Sequence, residues 1–554
     1  MIKSKVISVL LHAHLPFVSP PGIPAEIRFP DGCAFSEGKA RQGPPEHLPF
    51  SCEESWFFEA LSETYLPLLE MFDRLDAARV PFRLSLSLSP VLSAMFTDKV
   101  LIEQYLDYVD RQIEFGSREL DRHGNDPCLY ALTKFYYDRV AEKRVLFAER
   151  YEKNILQVLD LYQKKGRLEI LTTAATHAFL PIYAAYPEAV QAQIEVAIAS
   201  HRQIFGRNPQ GFWLPEMGWS PELDEYLRSY NFSYTVIDTH GLLTGNGECR
   251  KGSFYPVKTP AQIFVLARDF YASRELFESE SAFRLSPVYR DNREDPAFEL
   301  EPDLIRPFLS EKGGRTPTGY KYFTQGGGGA PKVLYDPQKA SDQVRAQARA
   351  FLDSRLRALD RAGALMDEIP VSLCAFDADR FGRFWYEGPD FLEALFREGA
   401  GREGLHFMNP PEYLFKQKDI ENLLPGYSSS GVNGYGEMWL DASNDWMYRH
   451  VVRSLDRMVE LAERFPNDSG LKERALNQAA REILLVQSSD WPRMLYKQEC
   501  PDFARYQIDM ALRNFTTIYE ALGSNYISTE WLTSLERRHN LFPHINYRVF
   551  RRKR

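Results

Sequence analysis

The chain has 554 residues with 44% apolar and 13% aromatic side chains, enough for a large core in two or three structural units and too apolar for disorder. Its formal charge is −9 and its one basic run is the closing "RRKR", so a nucleic-acid surface is not expected. Six scattered cysteines without a C-x-x-C pair give neither a zinc knuckle nor a disulfide framework. No apolar run approaches the roughly 18 residues of a membrane span, which leaves a reducing cytoplasm as the expected setting.

In chain order, short β-rich runs recur. "KVISVLLHAHLPF" (5–17) is read as a first strand rather than a secretory leader, because His12 and His14 interrupt it and no small-residue cleavage site follows closely. "PFRLSLSLSP" (81–90), "LEILTTAATHAFLP" (168–181), "GFWLPEMG" (211–218), "SYTVIDTHG" (233–241), "AQIFVLARD" (261–269) and "PVSLCAFDADRFG" (370–382) follow. Helical patterns such as 55–78 and 187–206 lie between them, and this alternation predicts a parallel sheet. Seven strands over about 380 residues suit an α/β fold of the distorted TIM-like barrel kind, with chemistry at the C-terminal strand ends. His14, His177, Glu216, Asp238, Arg268 and Asp377 fall there.

Three stretches interrupt the alternation. Residues 18–50, rich in Pro and Gly, read as a long loop; 97–160 read as a helical insertion; 310–332 read as a loop near the barrel mouth. The catalytic barrel is expected to occupy residues 1–415, and 416–554 a C-terminal helical domain. Composition fixes no oligomeric state.

On a strand His12 and His14 point the same way. They fit metal ligands, donors to substrate hydroxyls, or hydrogen-bonded core histidines. A metal site would draw on His177, Asp238 or His240 and would imply a metal-dependent hydrolase, such as a sugar deacetylase. Glu216, fenced by Trp213, Pro215 and Trp219, and Asp377 form the other candidate set: a retaining glycosidase needs two carboxyls about 5–5.5 Å apart, one kept protonated by its surroundings.

Taken together, "HAHLPF", "ATHAFLP", "GFWLPEMGW" and "FDADRFGRFWYEGP", in this order, resemble the signature set of glycoside hydrolase family 57. "SSSGVNGYGEMWLDASNDWMYRH" (428–450), "LLVQSSDWP" (484–492) and "FPHINYRV" (542–549) extend the likeness nearly end to end. These later blocks resemble the branch containing 1,4-α-glucan branching enzymes and a related bacterial protein first described as an α-amylase. The resemblance implies a (β/α)7 barrel with a helical insertion and a C-terminal helical domain. It also implies a retaining enzyme on α-1,4-glucan, a branching enzyme first, with an α-amylase, a 4-α-glucanotransferase or a catalytically weak glucan-binding homologue as alternatives; no metal and no cofactor; Glu216 as nucleophile and Asp377 as acid/base. His12, His14 and His177 would hold the glucose on the non-reducing side of the scissile bond, and Trp56, Trp213, Asp238, Arg268, Trp439, Asp490 and Trp491 would contact substrate. For Trp439 and Trp491 inter-domain packing is the competing reading.

Several features depart from the family pattern, among them the Cys-Asn pair missing before the Thr-His of "LTTAATHAF". Arg383 replaces a histidine beside the acid and is expected to lower the pKa of Asp377. Lys251 stands where branching enzymes use a loop-tip tyrosine, Phe277 where they carry a groove tryptophan, and Leu285 where a glycine is expected.

Overall fold

The computed structural model describes residues 4–18, 52–309, 314–326 and 333–553. Among the described residues ten strands make one sheet: β1 (Lys5–Ala13), β2 (Leu84–Leu88), β3 (Leu168–Thr173), β4 (Gly211–Trp213), β5 (Tyr234–Ile237), β6 (Val257–Lys258), β7 (Phe264–Ala267), β8 (Val371–Asp377), β9 (Leu405–Phe407) and β10 (Glu421–Asn422). Their order is β10-β6-β7-β5-β4-β3-β2-β1-β8, with β9 on the first residues of β1. All pairs are parallel except β6 on β7.

The seven strands expected from the sequence are β1 to β5, β7 and β8. The seven curl until the two outermost of them, β7 and β8, come together: the Asp269 N–H after β7 donates to the Leu373 carbonyl of β8 (2.7 Å), and Ser372 Oγ donates to the Asp269 carboxylate (2.6 Å). Strands of such a sheet are covered on both faces, which is why β1 and β2 are buried nearly throughout. Alternate residues divide the work. Val6 and Leu10 of β1, Leu171, Trp213, Val236, Leu266, Leu373 and Ala375 fill the inside of the curl. Ile7, Val9, Leu11, Leu86, Ile170, Phe212 and Phe376 pack outward against helices. The inward parity carries on to His12 and Asp377.

Every strand is shorter than its apolar run. "VIDTHG" changes course at Asp238, whose carboxylate caps the Thr239 N–H (2.7 Å) and starts the helix Thr239–Leu243. "LEILTTAATHAF" leaves the sheet after Thr173, and His177 takes a left-handed backbone (φ 57°). The expected helix at 187–206 runs Pro187–Phe205 and stops on Gly206 (φ 68°), the usual left-handed helix end.

Residues 97–160 are helical: Lys99–Arg122, Pro127–Val145 and Ile155–Lys164, begun by the caps Asp98, Asp126 and Asn154. Their buried faces are spaced as in Leu101, Tyr105, Tyr108, Gln112 and Phe115. At Gly116 an added Cβ would lie 1.9 Å from the Tyr320 hydroxyl, so this helix and the 314–326 segment touch only because the glycine is bare. That segment forms isolated bridges (Arg290 with Thr324, Leu309 with Arg315) but neither helix nor strand. The Pro/Gly-rich stretch, from residue 19 on, and residues 327–332, which take in all but the first glycine of the run 326–329, lie outside the described residues.

β10 pairs with β6, and five helices follow from Asp445: Asp445–Arg464, Leu471–Val486, Asp490–Lys497, Pro501–Ser524 and Thr529–Arg538. Their apolar faces pack on one another, and the turn between the second and third reaches the strand ends. There Ser488 bridges Ala178 and the Ser489 N–H donates to the His177 carbonyl (3.1 Å). Among the described residues no helix is long and apolar enough to cross a membrane.

Candidate active site

The C-terminal rim is built strand by strand. In register His12 of β1 lies between Ser87 of β2 and Asp377 of β8, and Trp213 of β4 lies beside Thr173 of β3. His12, His14, His177 and Trp213 form a pile of flat rings: His14 on His177 at 4.0 Å, His12 on His177 at 4.9 Å and His12 on Trp213 at 4.9 Å.

All six imidazole nitrogens have protein partners. His12 uses Ser87 Oγ (3.0 Å) and His177 Nε2 (2.8 Å); His177 uses Ser489 Oγ (2.8 Å) as its second; His14 uses Ser89 Oγ (3.0 Å) and Asp490 Oδ2 (3.0 Å). Burial, reinforced for each by neighbouring histidines, pushes His12 down to about 3 and His177 well below its ordinary value, so both are neutral. His240, the other ligand considered, bonds the Gly434 carbonyl instead (2.7 Å). Among the described residues no three His, Cys, Asp or Glu side chains converge as a metal set.

Glu216 stands just past β4 with φ 59° and ψ 20°, followed by Met217 at φ 51°. Two successive non-glycine residues in the left-handed region cost of order 1–3 kcal/mol each. Residues 428–430 clamp them: the Ser430 N–H donates to the Glu216 carbonyl (2.7 Å), and Trp219 and Ser428 exchange backbone bonds (2.8 and 3.1 Å). The bend turns the carboxylate over the rim, where Ser489 Oγ donates to Oε1 (3.0 Å) and His177 Nδ1 lies 3.7 Å away. Burial, with Asp377 and Asp490 adding to it, pushes Glu216 up to about 7 against the pull of Arg493 and Ser489.

Asp377 ends β8 with half of its side chain open to the cleft. Burial of its surroundings opposes ionisation, but Arg380, Arg493 and Arg268 outweigh it and hold the carboxyl below its ordinary value. Arg493 pairs with Glu499 (3.6 Å), and its charge also acts on Glu216, Asp490 and Asp377.

The cation on Asp377 is therefore Arg380, whose Nε lies 3.1 Å from Oδ2, and not Arg383. Arg383 turns to Glu59 (3.4 Å) and Asp379 (4.0 Å). Phe277 is buried among Phe376, Phe381 and Trp385, with the Arg380 guanidinium 5.3 Å above its ring, so it supports that arginine rather than offering a sugar platform. Lys251 pairs with Glu368 (2.5 Å), which precedes β8 and so lies toward the end of that strand opposite Asp377. Leu285 ends a short 3-10 turn, half-buried.

Of the remaining expected contacts, Asp490 and Arg268 join the cluster. Arg268 also holds Asp238 in an ion pair (2.7 Å). Trp213 is the floor of the ring pile. Trp439 and Trp491 correct the expectation of sugar platforms: both are fully buried, Trp439 stacked on Phe179 (4.7 Å) and Trp491 donating its indole N–H to the Leu485 carbonyl (2.8 Å). Half-buried Trp56 meets the edge of Phe503 (5.6 Å), which Trp491 also contacts.

Sequence reasoning missed Ser87, Ser89, Arg380, Ser489 and Arg493. Two of them were within reach: Arg380 and Arg493 follow Asp377 and Asp490 at i+3, a spacing that returns side chains to the same side of a turn.

Comparison with known proteins identifies the family. Residues 44–297 match the model of glycosyl hydrolase family 57, and residues 450–550 match the 1,4-alpha-glucan branching enzyme C-terminal model. The crystal structure of the novel alpha-amylase AmyC from Thermotoga maritima is 32% identical, superposes with a TM-score of 0.88, and the match covers 100% of both chains. A 1,4-alpha-glucan branching enzyme of Thermococcus kodakarensis is 25% identical over 97% of this chain and 77% of its own length. The GH57-type branching enzyme of Pyrococcus horikoshii, 23% identical, shares the fold with a TM-score of 0.84 over 100% of this chain and 98% of its own. The chain belongs to glycosyl hydrolase family 57.

Proposed function

We propose that the protein is a retaining α-1,4-glucan transferase, a 1,4-α-glucan branching enzyme working in the cytoplasm without metal or cofactor. Glu216 is its nucleophile and Asp377 its acid/base. The observation that supports this reading is one hydrogen-bonded chain along the rim, Glu216–Ser489–His177–His12, with His12 in register beside Asp377 and His14 bonded to Asp490.

Asp377 gives its proton to the glycosidic oxygen while Glu216 attacks the anomeric carbon, and the C–O bond to the leaving chain breaks. The glucosyl ester of Glu216 then meets the 6-hydroxyl of another chain. Asp377, now a carboxylate, takes that proton, the ester bond breaks, and an α-linkage is restored. With water as acceptor the same two steps hydrolyse.

In the resting site the proton affinities run the other way, with Glu216 up at about 7 and Asp377 down. Substrate corrects this from both sides. A glucan laid over half-open Asp377 strips its water and raises its pKa, while sugar hydroxyls donating to already buried Glu216 favour its carboxylate.

A hydrolytic reading has one specific support, the 32% identity to a protein named an alpha-amylase. Incubation with amylose separates the two. Branching gives new α-1,6 linkages by proton NMR with little rise in reducing ends; hydrolysis gives reducing ends alone; neither product removes the enzymatic reading.

A further inference from the structure

We propose that a cavity remote from the carboxylate pair is a binding site for a small inorganic anion of the chloride class. The cavity, about 30 Å3, lies between the helical insertion, the helices of residues 52–77, Arg290 and the segment 317–321; it is lined by Glu59, Glu63, Arg139, Lys143, Arg290 and Lys321 among others. A space of that size holds one or two water-sized particles.

Its charges do not balance. Four cations face two carboxylates. Arg290 is saturated, taking both oxygens of Glu63 (3.1 and 2.8 Å) and Asn292. Glu59 is shared with Arg383. Asp295, behind Lys321, spends its oxygens on the N–H groups of Ala297, Thr318 and Gly319 and on the Thr318 hydroxyl. Outside the lining, Glu70 acts on both Arg139 and Lys143 and Asp390 on Arg139, without a hydrogen bond or ion pair to any of them.

What remains are three cations aimed at the space. Lys143 and Lys321 are more than nine-tenths buried, and no ion pair or hydrogen bond from a described residue reaches either ammonium. Arg139 lies over the rings of Phe135 and Tyr386 (5.6 Å each), with Asp390 and Glu70 near enough to act on its charge. A buried cation without a partner is expensive, and a small anion among three of them removes that cost. Burial, with Arg139 beside it, pushes Lys143 down to about 8, the direction a bound anion reverses.

The wall of this cavity also supports the turn after Asp377. The Arg383 N–H donates to Thr64 Oγ1 (3.1 Å), and Gly382 lies on the Glu63 carbonyl so closely that a Cβ would be 1.8 Å from it. Anion binding therefore stiffens the support of that turn.

The test compares thermal unfolding of the full chain in chloride and in gluconate at constant ionic strength. It adds bromide soaked into crystals for its anomalous signal, and the variants Lys143→Met and Lys321→Met. The expected results are a saturable rise in Tm of about 2–4 °C with chloride, its loss in both variants, and a bromide peak between Lys143, Lys321 and Arg139. Equal Tm in the two salts, a shift that persists in Lys143→Met, or an empty bromide map overturns the proposal. If the variants do not fold, the bromide map of the wild-type chain decides. None of these readouts uses glucan turnover, so they stand or fall separately from the proposed function.

Discussion

Ser489 Oγ donates to Glu216 Oε1 at 3.0 Å, joining two residues 273 positions apart. With that proton spent on a carboxylate, Ser489 must accept from His177 Nδ1–H, His177 Nε2 must accept from His12 Nε2–H, and His12 Nδ1 must accept from Ser87. One charge at Glu216 thus fixes the tautomers of two histidines.

Ser489→Ala removes a donor that favours ionised Glu216. The acid limb of kcat/KM, which reports the free protein, moves to higher pH, and kcat falls by roughly tenfold, the worth of one charge-assisted hydrogen bond. A shift in the 15N resonances of His12 and His177 accompanies the change, because their tautomers are no longer set. An unmoved acid limb refutes the link.

On the proposed assignment Glu216→Gln lowers turnover of amylose by about 10^4-fold or more. Asp377→Asn loses about 10^2 to 10^4-fold on amylose, yet keeps most activity on p-nitrophenyl maltosides, whose leaving group needs no proton. Normal amylose turnover by either variant removes its role.

Glu216→Gln also changes stability, with a definite sign. Glu216 binds its proton more tightly folded, at about 7, than unfolded, near 4.5. Wild-type protein therefore loses stability as pH rises from 4.5 through 7, while glutamine is indifferent. The variant's advantage grows across that window to a few kcal/mol and is flat above it. Denaturant titrations at pH 4.5, 6 and 8 check this; an advantage largest at pH 4.5 contradicts it.

Arg380→Gln removes the cation nearest Asp377, so the basic limb of the pH–rate profile moves up. Arg383→Gln leaves that limb in place, because Arg383 faces Glu59 and Asp379. The opposite result restores Arg383 as the residue that tunes the acid.

Gly382→Ala tests the support of the same turn. Its φ is 124°, and an added Cβ would meet the Glu63 carbonyl at 1.8 Å. The variant is destabilised by about 2–4 kcal/mol, read as a lower midpoint in urea.

Much of the site was legible because strand periodicity and strand ends are local properties. "HAH" places two histidines on one side of β1, and "WLPE" and "FDA" put their carboxylates at the ends of β4 and β8. Arg383 shows the limit. It is six residues past Asp377, close enough in sequence to be taken for its neighbour, yet the turn at Gly382 sends its side chain to Glu59 while Arg380 returns to the acid. Trp439 and Trp491 fail in the same way, since a tryptophan in a motif has the same letter whether its ring faces a cleft or Phe179.

By itself, then, the sequence determined the seven parallel strands, the helical insertion and the family, all of which rest on periodicity and on motifs read along the chain. The tertiary structure alone decided which charge acts on which carboxylate: Ser489 on Glu216, Arg380 on Asp377, Arg493 on both and on Asp490. Electrostatic coupling falls with distance through space, and chain separation carries no record of that distance.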